Sequence, residues 1–273
     1  MIQNSAVLVD LHISVWTARK MDRRVSEQVD VNHNTKARAG NYHKKLLAGT
    51  EALDSLQSVV GATRQWHYEN TLPWADNGQR LLSMKNFFDY KSIMGDFRRQ
   101  FDEAGENFCN QYPILVSAAA FTLGDLFNSG DYPSVEQVRS KNKFHVVFSP
   151  VPDAGDFRVD IPNEYREELR KISEERVTHA MKDAWDRLHE CLTRMSEKLA
   201  GDDKQVFRDS LVTNAVDLCA TLSKLNVTND SKLEDARQKL ERALVGIDAR
   251  ELRRSDDTRK DVKSRVDEIL GMF

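Results

Sequence analysis

A magnesium-dependent nuclease needs two carboxylates at strand ends beside a lysine. Asp10, Asp160 and Lys143 are the residues of this chain that could converge in that way. Their spacing alone does not separate such a site from an ordinary polar sheet face. His189-Glu190 opens like a zinc-protease helix, but the second histidine is missing and position 193 is Thr. The seven histidines are scattered, no two of them four residues apart. There is no glycine-rich phosphate loop, no dinucleotide fingerprint and no nucleophile elbow. No catalytic, metal or cofactor-binding residue is therefore assigned, no cofactor is expected, and the chain does not read as an enzyme.

Binding chemistry has more to work with. Arg19, Lys20, Arg23 and Arg24 cluster behind a segment that alternates from position 6 to 16. His12 and Trp16 fall on the polar side of that alternation, and His145 and Arg158 on the polar side of a second alternating region, with Lys141 and Lys143 beside it. Basic and aromatic side chains on an open sheet can track phosphates and stack bases. The same pattern suits a half-solvated sheet with ordinary flanking charge. Trp66, Tyr68 and Trp74 form a second aromatic group in a connector, read either as a binding surface or as a lid over the core.

These residues must be positioned by a few elements. Val7, Val9, Leu11, Ile13 and Val15 make one face of an N-terminal strand. Residues 144–161 read as a β-hairpin with a proline-bearing loop, and a lone hairpin is marginal in water. Pairing with the first strand gives a three-stranded antiparallel sheet resting on helices. Residues 17–64 read as helical with a break near 31–35, and 64–74 as a connector. Residues 81–108 read as helix, and Pro113 as the start of the next one. The most apolar run, Tyr112 to Phe127, is too short and too interrupted to span a membrane and reads as a core helix. Ser134 should cap a short helix over 135–140. From Asn163 onward, three- and four-residue apolar spacings predict helices to the end, with short connectors that imply antiparallel neighbours.

The fold class is thus mainly α: a helical bundle or long helical hairpins with a small three-stranded sheet. Residues 1–162 form a helical domain with the strand and hairpin. Residues 163–273 form a C-terminal helical hairpin or bundle packed on it. Composition agrees, with 30% charged residues, 40% hydrophobic residues and few Gly or Pro. A net charge of -3 excludes a chain that coats duplex DNA with its whole surface, so nucleic-acid contact would need a local patch. Three widely spaced cysteines fit free thiols in a reducing, cytoplasmic setting, and no membrane partner is expected.

Several phrases together carry a resemblance. They are Val9-Asp-Leu-His-Ile-Ser-Val-Trp-Thr-Ala-Arg-Lys20, Thr71-Leu-Pro-Trp74, Gly130-Asp-Tyr-Pro-Ser134, Phe148-Ser-Pro-Val-Pro-Asp-Ala-Gly-Asp-Phe-Arg-Val159, Phe207-Arg-Asp-Ser-Leu211 and Leu225-Asn-Val-Thr228. In this order they resemble an uncharacterised family of phages and integrative mobile elements, a domain of unknown function. The resemblance implies a setting beside recombination proteins and MoxR-type AAA+ ATPases, in the host cytoplasm if phage-encoded. It implies no catalytic residue. The first expectation is a non-enzymatic accessory protein whose helices, coiled-coil-like in part, bind a protein partner such as a AAA+ machine or another copy of itself. The alternative is a single-stranded nucleic-acid-binding protein that uses the basic-aromatic surface.

Overall fold

The computed structural model describes residues 2–152, 162–200 and 209–273. Among them the order is β1 (Ala6–Ser14), β2 (Arg19–Met21), α1 (Arg23–Asn32), β3 (His43–Lys45), α2 (Glu51–Glu69), β4 (Leu72–Pro73), β5 (Arg80–Ser83), α3 (Phe87–Leu123), α4 (Val135–Lys141) and β6 (Lys143–Pro150). The C-terminal part is helical: α5 (Asn163–Leu199), α6 (Ser210–Leu225), α7 (Ser231–Leu244), α8 (Ala249–Arg254) and α9 (Asp256–Leu270). The protein is mainly α with a minor β element. The chain divides into two compact units, one of Met1–Asp10, Trp66–Lys91 and Val147–Phe273, the other of Leu11–Gln65 and Ser92–Val146.

The sheet has four strands in the order β4-β5-β1-β6 rather than three. β5 is the strand that the alternation does not reveal. It holds Leu81 and Leu82 in succession, both fully buried, because it is covered on both faces. A short apolar run of that kind carries no period and reads equally as helix. β5 pairs antiparallel with β1, Leu81 opposite Leu8, and with β4, Leu81 opposite Leu72. The second arm of the expected hairpin, with Arg158 and Asp160, lies outside the described residues.

In the first unit these strands share a core with α5–α9. Leu188, Leu192 and Met195 of α5 meet Leu222 and Leu225 of α6, Leu240 of α7, and Val262 and Val266 of α9. Asp230 caps α7 and Ser255 caps α9, each carboxylate or hydroxyl accepting from a first-turn N–H. The buried stripe of α5 begins only at Ala180. Leu169 is half-buried and Ile172 exposed, so the apolar spacing extends further than the packing. Trp66 and Tyr68 lie inside α2, which runs on to Glu69 instead of giving way to a connector at position 64. Two guanidiniums complete its C-terminal end. Arg187 donates to the carbonyls of Tyr68, Glu69 and Thr71, and Arg80 to those of Tyr68 and Thr71. Four carbonyls at any helix end lack intrahelical partners, so these bonds remove the reason for an earlier stop.

In the second unit Trp16 is the centre of an aromatic cluster. Its ring lies 6.4 Å from that of Phe108 and 5.4 Å from that of Tyr112. Phe101 packs on Phe144 in the same unit, with ring centroids 5.5 Å apart. Much of the stretch over 17–50 is not helical. β2 and β3 form a separate antiparallel ribbon, and Leu46 and Leu47 are buried ahead of α2 instead of on it. α3 starts after β5 and passes straight through Pro113. Proline there removes one backbone hydrogen bond and costs about 3 kcal/mol. The buried side chains of Phe108 and Tyr112 before it, and Ala119 after it, anchor the helix on both sides of the proline. Ser134 caps α4 as expected, and Gln137 completes a capping box: Ser134 accepts from the Gln137 N–H and Gln137 from the Ser134 N–H.

Candidate functional site

The sequence from Arg19 to Lys45 holds eight Lys and Arg against three Asp and Glu, in a chain whose net charge is -3. The structure folds this excess into the β2–β3 ribbon and the start of α1. In the ribbon Arg19 stands opposite Lys45, Lys20 opposite Lys44, and Met21 opposite His43. Alternation puts Arg19, Met21, His43 and Lys45 on one face and Lys20 and Lys44 on the other.

The two lysines of β3 have different roles. Lys44 is buried. Its ammonium lies 2.7 Å from Asp131 and 3.5 Å from Asp22, and donates to the Leu126 carbonyl at 2.7 Å. It is an internal tie. The Val25 N–H first, and then Lys44, hold the Asp22 carboxyl below its ordinary range. An open polar cleft of about 730 Å³ borders this group, lined by Asp22, Arg24, Lys44 and Asp125 among others. Its charges compensate one another, so it has no claim as an anion site.

Lys45, Arg19, Lys20 and Arg23 are exposed and have no carboxylate partner among the described residues, and neither has Lys36. Elsewhere the exposed cations are commonly paired one helical turn away, as in Lys182–Asp186 and Arg265–Asp261. Arg38 is neutralised by Glu27 and Asp30 within the second unit itself.

Local physics opposes the placement of the unpaired cations. Like charges directly opposite on a β-ladder repel, and Arg19 and Lys45 are such a pair. A helix N-terminus favours acids, and α1 has one at its cap, Asp22, whose carboxylate accepts from the Val25 N–H; the two positions after it are Arg23 and Arg24, with no acid in the first turn. The turn into β2 is made by Ala18 with φ 50°, a conformation costing roughly 1 kcal/mol for a residue with a Cβ. Aromatic surface adjoins the cations: His43 is exposed on the ribbon, and Tyr42 beside it is 40% exposed. Both were missed in the sequence, since neither falls in an alternating segment.

Of the expected basic cluster, Arg19 and Lys20 lie on opposite faces of the ribbon, Arg23 is exposed at the start of α1, and Arg24 lines the cleft beside Asp22 and Lys44. His12 and His145 are exposed on the neighbouring strands β1 and β6. Lys141 and Lys143 are exposed where α4 passes into β6, and the Ser14 hydroxyl donates to the Lys141 carbonyl at 2.7 Å. Trp16 does not join the surface. It follows β1 and is 7% exposed, because Phe108 and Tyr112 close over it.

The aromatic group 66–74 belongs to the first unit. Trp74 is 4% exposed, with the Arg176 guanidinium 5.8 Å from its ring. Trp66 is half-buried, 5.3 Å from Tyr90. Tyr68 is exposed and carries Arg80 over its ring at 5.0 Å. Beneath it the His67 Nδ1 lies 2.7 Å from the Tyr90 hydroxyl, and both are buried. Burial first, and then Arg80, lowers the His67 pKa to about 4.

Asp10 accepts from the Gln79 side-chain amide at 3.1 Å. Among the described residues no three His, Cys, Asp or Glu side chains gather as a metal site, and no helix is long and apolar enough to cross a membrane. Cys109, Cys191 and Cys219 are free thiols. No protein-family model matches the chain, and no curated protein or solved structure matches it either.

Proposed function

We propose that this chain is a non-enzymatic binding protein for single-stranded nucleic acid, and that the β2–β3 ribbon and the first turn of α1 hold the phosphate backbone. One observation carries the reading: among the described residues Arg19 and Lys45 are unpaired cations facing each other where ladder repulsion makes cations unfavourable, with Arg23 also unpaired at the start of α1. A site that sacrifices local stability for a concentrated charge is expected to meet an opposite charge. Phosphates fit that need, and the exposed His43 and Tyr42 rings offer stacking faces. Stacking requires splayed bases, which selects a single strand over a duplex. The setting implied by the mobile-element resemblance, beside DNA metabolism, points the same way.

The test is the fluorescence anisotropy of a labelled single strand titrated with the protein at several salt concentrations. Binding that weakens linearly on a log–log plot supports backbone neutralisation. No binding at low salt, or binding indifferent to salt, overturns the reading. The other expectation, contact with a protein partner, has its own physical basis in α3.

A further inference from the structure

The C-terminal part of α3 is apolar on two sides. Phe108, Cys109, Tyr112 and Ala119 are buried in the second unit. Facing away from them, Ile114 is 73% and Phe121 92% exposed. This is the run that composition assigns to the core, and the structure corrects that expectation: Ile114 and Phe121 are not covered by the described residues of their own unit. The exposed positions Asn107, Gln111, Ile114, Ala118 and Phe121 succeed each other at steps of four, three, four and three residues. That is the seam of two helices packed side by side.

Two further properties define what fits the seam. No charged residue occurs from Asn107 to Gly124. Three of the polar side chains on or beside it have a bond within the helix. Gln111 donates to Asn107 at 2.8 Å, Ser117 to the Pro113 carbonyl at 3.0 Å, and Thr122 to the Ala118 carbonyl at 3.1 Å.

We infer that the occupant is a second copy of this chain, docked α3 to α3 in an antiparallel pair. A two-fold axis sets a surface against itself, so a charge near its centre would repel its own copy. This face carries none, as homodimer interface cores require. A charged partner would find nothing to recognise, and a lipid surface is met by helices flanked with Lys or Arg, which this stretch lacks. With the axis near Ala118, the small side chains let the backbones approach, and Ile114 of one copy seats beside Phe121 of the other. The seam from Asn107 to Phe121 is roughly 21 Å long at 1.5 Å per residue. Contact over that length falls short of a standard stable interface, so the dimer is weak and concentration-dependent. The pairing does not depend on nucleic-acid binding.

Sedimentation equilibrium of the full chain over a wide concentration range tests it. The expected result is a mass rising from one chain towards two, with Phe121→Glu and Ile114→Glu each holding the monomer at all concentrations. Both side chains are exposed, so circular dichroism should be unchanged. Ala118→Cys should give a disulfide-linked dimer under mild oxidation that wild type does not give. A wild type that stays monomeric throughout overturns the proposal. So does a dimer that survives both glutamate substitutions, which would place the interface elsewhere. So does flotation of the monomer with neutral or anionic vesicles that Phe121→Glu abolishes, which would make this a lipid-binding face.

Discussion

Arg19 and Lys45 stand directly opposite each other across the β2–β3 ribbon, both exposed and neither paired with a carboxylate among the described residues. Facing cations on a ladder are destabilising, by the same few tenths to 1 kcal/mol that an opposite-charge pair would contribute. Stability and binding should therefore respond in opposite directions to substitutions here.

Arg19→Glu creates a cross-strand ion pair with Lys45. We expect folding stability to rise by about 0.2–1 kcal/mol, measured by urea unfolding, while affinity for single-stranded DNA falls. Loss of both stability and binding would mean that Arg19 serves the fold, and would remove the ribbon from the site.

Each phosphate contact on a single strand contributes roughly 0.7 to the slope of log K against log salt. The double substitution Arg19→Ala, Lys45→Ala should lower that slope by roughly 1.4 and leave the circular dichroism unchanged. Lys182→Ala, on α5 and already paired with Asp186, should leave the slope as it was. An equal effect at both places would point to general charge rather than to the ribbon.

Lys44 illustrates the opposite case, a cation that the fold needs. It is 6% exposed and holds Asp22, Asp131 and the Leu126 carbonyl together. Lys44→Met fills the space but leaves two carboxylates without their cation. A loss of about 3 kcal/mol or more is expected, the usual result of removing one member of a buried ion pair. Thermal or urea unfolding measures it, and a near-neutral result would mean that water replaces the ammonium.

The sequence makes some of this visible. β1, the capped α4 and the C-terminal helices follow from periodicity and caps, because each is long or carries a polar cap at the right step. β5 is hidden because a strand buried on both faces has no alternation. The ribbon is hidden because Arg19, Lys20, Lys44 and Lys45 are poor strand formers, and tertiary pairing overrides their propensity. The cluster of Arg19, Lys20, Arg23 and Arg24 is legible as charge, but Lys45 and His43 join it only across the ribbon. Trp16 fails as a surface residue for a related reason. Alternation places it with the polar side chains, while Phe108 and Tyr112, some ninety residues on in the chain, bury it.

His67 gives the last expectation, in the response to acid. Its ring is 3% exposed and shares a 2.7 Å hydrogen bond with the Tyr90 hydroxyl, which burial pushes up and keeps protonated. Folding lowers the His67 pKa from an ordinary 6.5 to about 4. Between those values the unfolded chain takes up a proton that the folded chain does not. Stability from this residue is therefore complete above pH 6.5 and is lost as pH falls towards 4, by about 3 kcal/mol at most. Unfolding free energies measured across that interval should fall with decreasing pH. His67→Gln keeps a polar atom near Tyr90 and does not titrate, so the fall between pH 6.5 and 4 should flatten. An unchanged slope in the variant would mean that His67 is not the source of the fall; Asp22 beside Lys44, its carboxyl held below the ordinary range, loses its contribution only in more acidic solution.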